Sequence, residues 1–284
     1  MTQRTGQDTG QISLALLGAG RMGGAMLKGW LASGFAPGAM AVIEPSPSDD
    51  LSALAGDQGI ALNPAPGDLE GRAFDVVVLA VKPQLAAAVL SDNTALIGPD
   101  TLLVSIVAGQ PIASLAAVFD APRAIVRAMP NTPAAIGAGI TAYVCNSEVS
   151  DDQAALAGRV LAATGSVVAL TDEAQMDAVT AVSGSGPAYV FHLTECLAAA
   201  AQRAGLPEAL AHQLARETVI GSGLLLQAAE ESPEQLRQNV TSPGGTTAAA
   251  LDVLMGDPGL RDLMSRAVEA AAQRSKQLSR PAED

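Results

Sequence analysis

Two short stretches of this chain hold residue types suited to receiving a ligand. The first is GAGRMG, residues 18–23, with the spacing G-x-G-x-x-G. Gly18 permits a tight turn, Gly20 lets the backbone approach a pyrophosphate, and Gly23 lets a helix pack closely on a strand. The second is SPGGTT, from Ser242 through Gly244, Gly245 and Thr246 to Thr247, with no charged side chain between Asn239 and Leu251. An apolar run follows, so a helix starts here. Such a small, polar, uncharged helix entrance can be a surface that receives a ligand. The plain alternative is a turn with a threonine N-cap.

Further candidates sit where strands end. Glu44 follows Gly23 by 21 residues. An acidic residue there bonds ribose hydroxyls and repels a 2′-phosphate. Ser46 and Ser48 follow in EPSPSDD, and their hydroxyls either meet a phosphate or cap a helix. The choice between NADPH and NADH stays open at this point. Lys82, in AVKPQ at residues 80–84, is a cation beyond a strand's C-terminal end, where open α/β sheets bind ligands, and Pro83 stiffens its loop. Asn131, in AMPNTPAAIGAG at residues 128–139, can position a nicotinamide or a substrate. His192 and His212 read as structural, Cys145 and Cys196 as buried free thiols, and the Glu230–Glu231 pair as solvated. No metal-ligand spacing occurs.

These residues need a scaffold. Short apolar runs at residues 12–18, 40–44, 74–81, 101–109 and 123–130 read as buried strands, with helices at 22–33 and after the later strands. That rhythm implies a doubly wound parallel sheet with helices on both faces, a Rossmann-type α/β domain. GITAYVCN and GSVVAL extend the sheet, around a helix near 150–164. After residue 171 the strand signals stop, and helices are expected at 173–182, 187–204, 207–229, 233–240, 246–255 and 258–278. The expected organisation is a loose tail at 1–11, a dinucleotide-binding domain at 12–171 and an all-α substrate-binding and dimerisation domain at 172–284. The alanine-rich helices would bury themselves poorly alone, so a second copy is expected to complete them.

A length of 284 residues, 49% of them hydrophobic, agrees with about two domains. A net charge of -13 with only 16 Lys and Arg argues against nucleic acid as a partner. The first 11 residues lack a signal-peptide core, and no apolar run reaches the ~18 residues of a membrane span, so a cytoplasmic location is expected.

Taken together, AVKP, MPNTP, AVSGSGPAYVF at 181–191 and SPGGTT, in this order and at these separations, resemble pyrroline-5-carboxylate reductase from about Ile12 to Leu278. The resemblance implies the last step of proline synthesis, an interlocking helical domain, and dimers often assembled into rings. Carried over by position, the cofactor would meet Leu17, Gly18, Ala19, Gly20, Arg21 and Met22, then Ser46 and Ser48. It would also meet Ala80, Val81, Lys82 and Pro83, the segment Ile106, Val107 and Ala108, and Asn239. The substrate 1-pyrroline-5-carboxylate would meet the 242–247 loop, with Glu173 and Glu230 beside it and Thr247 bonded to the ring nitrogen. Arg21 stands where members often carry Asn or Gln, and Glu44 near a usually neutral spot; both bear on cofactor choice rather than on the reaction. Two rival readings are a β-hydroxyacid-type dehydrogenase, which would usually place a catalytic lysine in the helix at 187–204, and a dinucleotide sensor without turnover. The first finds no lysine there, and the second gives no reason for SPGGTT.

Overall fold

The computed structural model describes residues 12–65, 68–69 and 74–279; the expected tail at 1–11 lies outside them. One eight-stranded sheet runs in the order β3-β2-β1-β4-β5-β6-β7-β8. Its strands are β1 (Leu14–Leu17), β2 (Met40–Ile43), β3 (Ala61–Leu62), β4 (Val76–Leu79), β5 (Leu102–Ser105), β6 (Ile125–Met129), β7 (Gly139–Cys145) and β8 (Gly165–Ala169). The first six follow the Rossmann order 3-2-1-4-5-6, with the order reversing between β1 and β4.

The central strands β1, β4 and β5 are buried along their whole length, as strands covered on both faces are. Leu14 and Leu16 face the layer of α1 (Arg21–Ala32), α2 (Asp49–Gln58) and, later, α5 (Asp151–Ala162). Ala15 and Leu17 face the opposite layer, which holds Leu90 of α3 (Ala86–Asp92) and Leu115 of α4 (Ile112–Ala116). Trp30 is fully buried, and its Nε1 donates to the Val160 carbonyl at 2.9 Å, fastening α1 to α5.

Two local readings need correction. β7 pairs antiparallel with β6 rather than continuing the parallel run. A parallel return needs a crossover of about a dozen residues or more, and the nine residues 130–138 between these strands form only a short 3₁₀ turn. The helix expected at 173–182 is instead a 3₁₀ turn at Glu173–Gln175, α6 (Met176–Val179) and a wider π turn at Thr180–Gly184. Hydroxyls compete with the helix there: Thr180 Oγ1 donates to the Met176 carbonyl at 2.8 Å and Ser183 Oγ to that of Val179 at 3.0 Å.

The chain forms two compact units, one running to Gly184 and taking back Ala272 onward, the other Ser185–Ala271. The rhythm of the sequence divides the chain at 171/172. Residues 172–184 nevertheless group with the sheet, because Glu173 is tied to Arg127 and Asp177 accepts the Ser275 hydroxyl. The second unit holds α7 (Gly186–Arg203), α8 (Glu208–Ala228), α9 (Pro233–Asn239), α10 (Thr246–Leu254) and most of α11 (Leu260–Leu278). Its buried side chains among the described residues are three alanines, 198, 211 and 215. Leu214, Leu224, Leu225 and Met255 stand exposed.

Candidate active site

The glycine loop between β1 and α1 is shaped by what its glycines exclude. Gly18 has φ +89°, and a Cβ there would lie 2.7 Å from Val81 Cγ1 and 2.9 Å from the Ala80 carbonyl. A Cβ on Gly23 would fall 2.2 Å from the Gly18 carbonyl. At Gly20 the space above the backbone is open. Gly20 also starts α1 with no side-chain cap, so the first N–H groups of the helix are left for a ligand. Leu17 and Gly18 form the buried floor, Ala19 and Met22 are half-buried, and Arg21 is exposed at the rim.

At the end of β2, Glu44 reaches back to this loop. Its Oε2 accepts the Ala19 N–H at 2.9 Å and its Oε1 the Ser46 N–H at 3.1 Å. Ser48 caps α2 by accepting the Leu51 N–H at 3.2 Å, so the capping reading applies to Ser48 and not to Ser46. A concavity of about 570 Å³ is lined here by Ala19, Gly20, Arg21, Glu44, Ser46 and Lys82, among others. Beyond β4, Ala80 donates its N–H to Leu17 at 2.8 Å, Lys82 is exposed and Pro83 starts a 3₁₀ turn. Ile106 and Val107 are buried just past β5, and Ala108 is exposed. Asn131 spends its Oδ1 on the Ile140 N–H at 2.9 Å, which fixes the loop that carries it.

In the second unit, the stretch at 242–247 starts α10. Gly244 has φ +70°, a left-handed turn that favours glycine. Gly245 donates its N–H to the Ser242 carbonyl at 3.1 Å and is the N-cap residue of α10, with no side-chain cap. The threonine-cap alternative is therefore not what forms: Thr246 and Thr247 are the first helical residues. Their N–H groups and that of Ala248 are left without a side-chain acceptor, and Thr247 is half-buried. Asn239 ends α9, and its Oδ1 accepts from Gln235 Nε2 at 2.9 Å.

The glycine loop, the strand-end residues and the bare helix start can be set beside known proteins. Residues 173–278 match the family model "Pyrroline-5-carboxylate reductase dimerisation", and residues 13–109 match "NADP oxidoreductase coenzyme F420-dependent". The pyrroline-5-carboxylate reductase of Pseudomonas aeruginosa is 40% identical over 94% of this chain and 96% of its own length. That of Escherichia coli is 38% identical over 94% and 98%. This chain belongs to the pyrroline-5-carboxylate reductase family. The Coxiella burnetii reductase structure superposes with a TM-score of 0.88 at 35% identity, covering 95% of this chain and 99% of that one. The Plasmodium falciparum enzyme, with NADP bound, gives 0.80 at 30% identity, covering 95% and 99%.

Within this family member, Glu173 is engaged by the protein itself. Its Oε1 accepts from Arg127 Nη1 at 2.8 Å and from the Ile112 N–H at 2.8 Å. Arg127, buried in β6, was not singled out from the sequence, and an arginine within an apolar strand was the available signal. Glu230 is exposed after α8. The reading of both cysteines as buried thiols is corrected. Cys145 is half-buried, and burial pushes its thiol up, whereas Cys196 is exposed on α7 because the second unit covers so little of its own surface. His192, read as structural, has Nδ1 3.0 Å from Glu195 Oε2 and Nε2 3.5 Å from Cys196 Sγ. No helix among the described residues is long and apolar enough to cross a membrane.

Proposed function

We propose that this chain reduces 1-pyrroline-5-carboxylate to L-proline with NADPH or NADH, the last step of proline biosynthesis. It is an NAD(P)-dependent oxidoreductase of the pyrroline-5-carboxylate reductase family. The observation that carries the substrate reading is the start of α10, glycine-turned, uncharged and without a side-chain cap.

The substrate is a five-membered cyclic imine bearing a carboxylate. Free N–H groups at a helix start stabilise such an anion by ~0.3–1 kcal/mol, and up to ~2 when partly buried. Gly244 and Gly245 let the ligand reach the backbone, and the hydroxyls of Ser242 and Thr246 add hydrogen bonds. A lysine or arginine in their place would hold the carboxylate but repel a neighbouring iminium. Thr247 bonds the ring nitrogen and fixes its orientation. The imine nitrogen can take up a proton from water, with Thr247 assisting, and the resulting iminium accepts hydride at carbon; no strong acid is then needed, and alignment with electrostatic fit supplies the catalysis. Glu173, through Arg127, fixes the segment leading to α7, and Glu230 is a further contact for the substrate.

The glycine loop fits a dinucleotide: Gly20 leaves open backbone where Gly18 and Gly23 allow no side chain. Leu17 to Gly23, Ser46, Ser48, Ala80 to Pro83, Ile106 to Ala108, Asn131 and Asn239 would hold it. When bound, the reduced nicotinamide supplies hydride. Dinucleotide binding belongs to residues 12–171, and substrate binding with dimerisation to the helices after 172. The helical region is the family's dimerisation region, and a ring of dimers in the cytoplasm is the assembly we propose.

Absorbance of the reduced nicotinamide tests the reaction. Oxidation with pyrroline-5-carboxylate and none with a 2-oxo acid is the expected outcome. The reverse pattern would favour a hydroxyacid dehydrogenase, and no oxidation with either a sensor.

A further inference from the structure

Glu44 joins the end of β2 to the glycine loop, and it is held there from both sides. Building on the reading of residues 18–23 as a dinucleotide cradle, we infer that this chain selects NADH over NADPH and that Glu44 enforces the choice. In this fold the residue just past β2 meets the ribose whose 2′ position distinguishes the two cofactors. A ribose diol donates hydrogen bonds to a carboxylate, whereas a 2′-phosphate offers only acceptors and negative charge.

The carboxylate is not free to move aside. Its two oxygens accept the Ala19 N–H at 2.9 Å and the Ser46 N–H at 3.1 Å. The backbone of Glu44 is clamped by one side chain: its N–H donates to Asn63 Oδ1 at 2.8 Å, and its carbonyl accepts from Asn63 Nδ2 at 2.7 Å. Asn63 itself sits at φ 45°, in the left-handed region that asparagine tolerates. Swinging Glu44 away would break its hydrogen bonds to the Ala19 and Ser46 N–H groups. The Ser46 N–H is thus already engaged by Glu44.

Charge around Glu44 points the same way. The segment from Pro45 to Gln58 holds Asp49, Asp50 and Asp57 and no lysine or arginine. The first turn of α2, which could otherwise receive an anion, carries the Ser48 cap with Asp49 and Asp50. Arg21, Lys28 and Lys82 line the same concavity, but they belong to α1 and the end of β4, where a pyrophosphate is served. Among the described residues none forms an ion pair with Glu44. No paired cation among them therefore offsets the carboxylate toward an incoming phosphate.

The test is direct binding of each reduced dinucleotide to the full chain, by calorimetry and without the imine, so that affinity is read independently of turnover. Wild type should bind NADH at least about tenfold more tightly than NADPH, equivalent to about 1.4 kcal/mol. Glu44→Gln keeps the size and one acceptor oxygen and removes the charge; in this variant the preference should collapse. Glu44→Ser, which also frees the two N–H groups, should reverse it. Equal affinities in wild type, or an unchanged ratio in a folded Glu44→Gln, would overturn the inference. Failure of wild type to bind either dinucleotide would overturn the cradle reading, and this inference with it.

Discussion

Thr247 is asked for one hydrogen bond and no proton of its own, and that sets what its removal should do. Thr247→Ala keeps a good helix former at the second position of α10, so the fold should persist. kcat/KM should fall roughly hundredfold, the range of a single lost transition-state hydrogen bond. Thr247→Ser should recover most of it; near-normal turnover by the alanine variant would take Thr247 out of this role. Gly244 acts through shape instead. At φ +70° an alanine costs about 1–2 kcal/mol. Gly244→Ala is expected to raise KM for the imine, with a small loss of thermal stability read by calorimetry. At this scale much was legible in the sequence, because glycine spacing is itself a statement about backbone shape. Glu44's grip on Ala19 was not legible, since the two are 25 residues apart and only the fold brings them together.

The sheet positions the cradle, and one ion pair ties its far side to the helical segment after β8. Arg127 is buried in β6, and its side chain meets Glu173, itself 31% exposed. Glu173→Gln leaves a cation in the core without its counter-charge. The expected loss is below the ~3–5 kcal/mol of a fully buried pair, because water still reaches Glu173. Chemical denaturation should show the loss as a lowered midpoint with an unchanged slope; no shift would mean the pair contributes little. The central strands were legible as short apolar runs, since burial on both faces leaves no polar alternation. The antiparallel β6–β7 step was not, because strand direction is set by connection length, and the 3₁₀ turn after Asn131 gives no periodic signal. The π turn at Thr180–Gly184 likewise follows from hydroxyl-to-carbonyl bonds that spacing alone does not announce.

At the scale of the molecule, the helical unit lacks an interior of its own. Three alanines are its buried side chains among the described residues, while leucines along α8 and the end of α10 lie open. Burying such faces stabilises by roughly 25 cal/mol per Å², and a second copy offers the same faces in return. Stability should thus depend on protein concentration, with the denaturation midpoint rising as the protein is concentrated. A midpoint independent of concentration over a wide range would contradict completion by a partner. The alanine-rich composition already indicated this need; the paucity of aromatics leaves close helix contact as the available packing mode.

The central claim is that the bare start of α10 holds a small anionic ring, and a structure determined with bound proline tests it most directly. The account requires the proline carboxylate at ~3 Å from the N–H groups of Thr246, Thr247 or Ala248, with the ring nitrogen on the Thr247 hydroxyl. Proline held instead by a lysine or arginine elsewhere, with the α10 start empty, would contradict it.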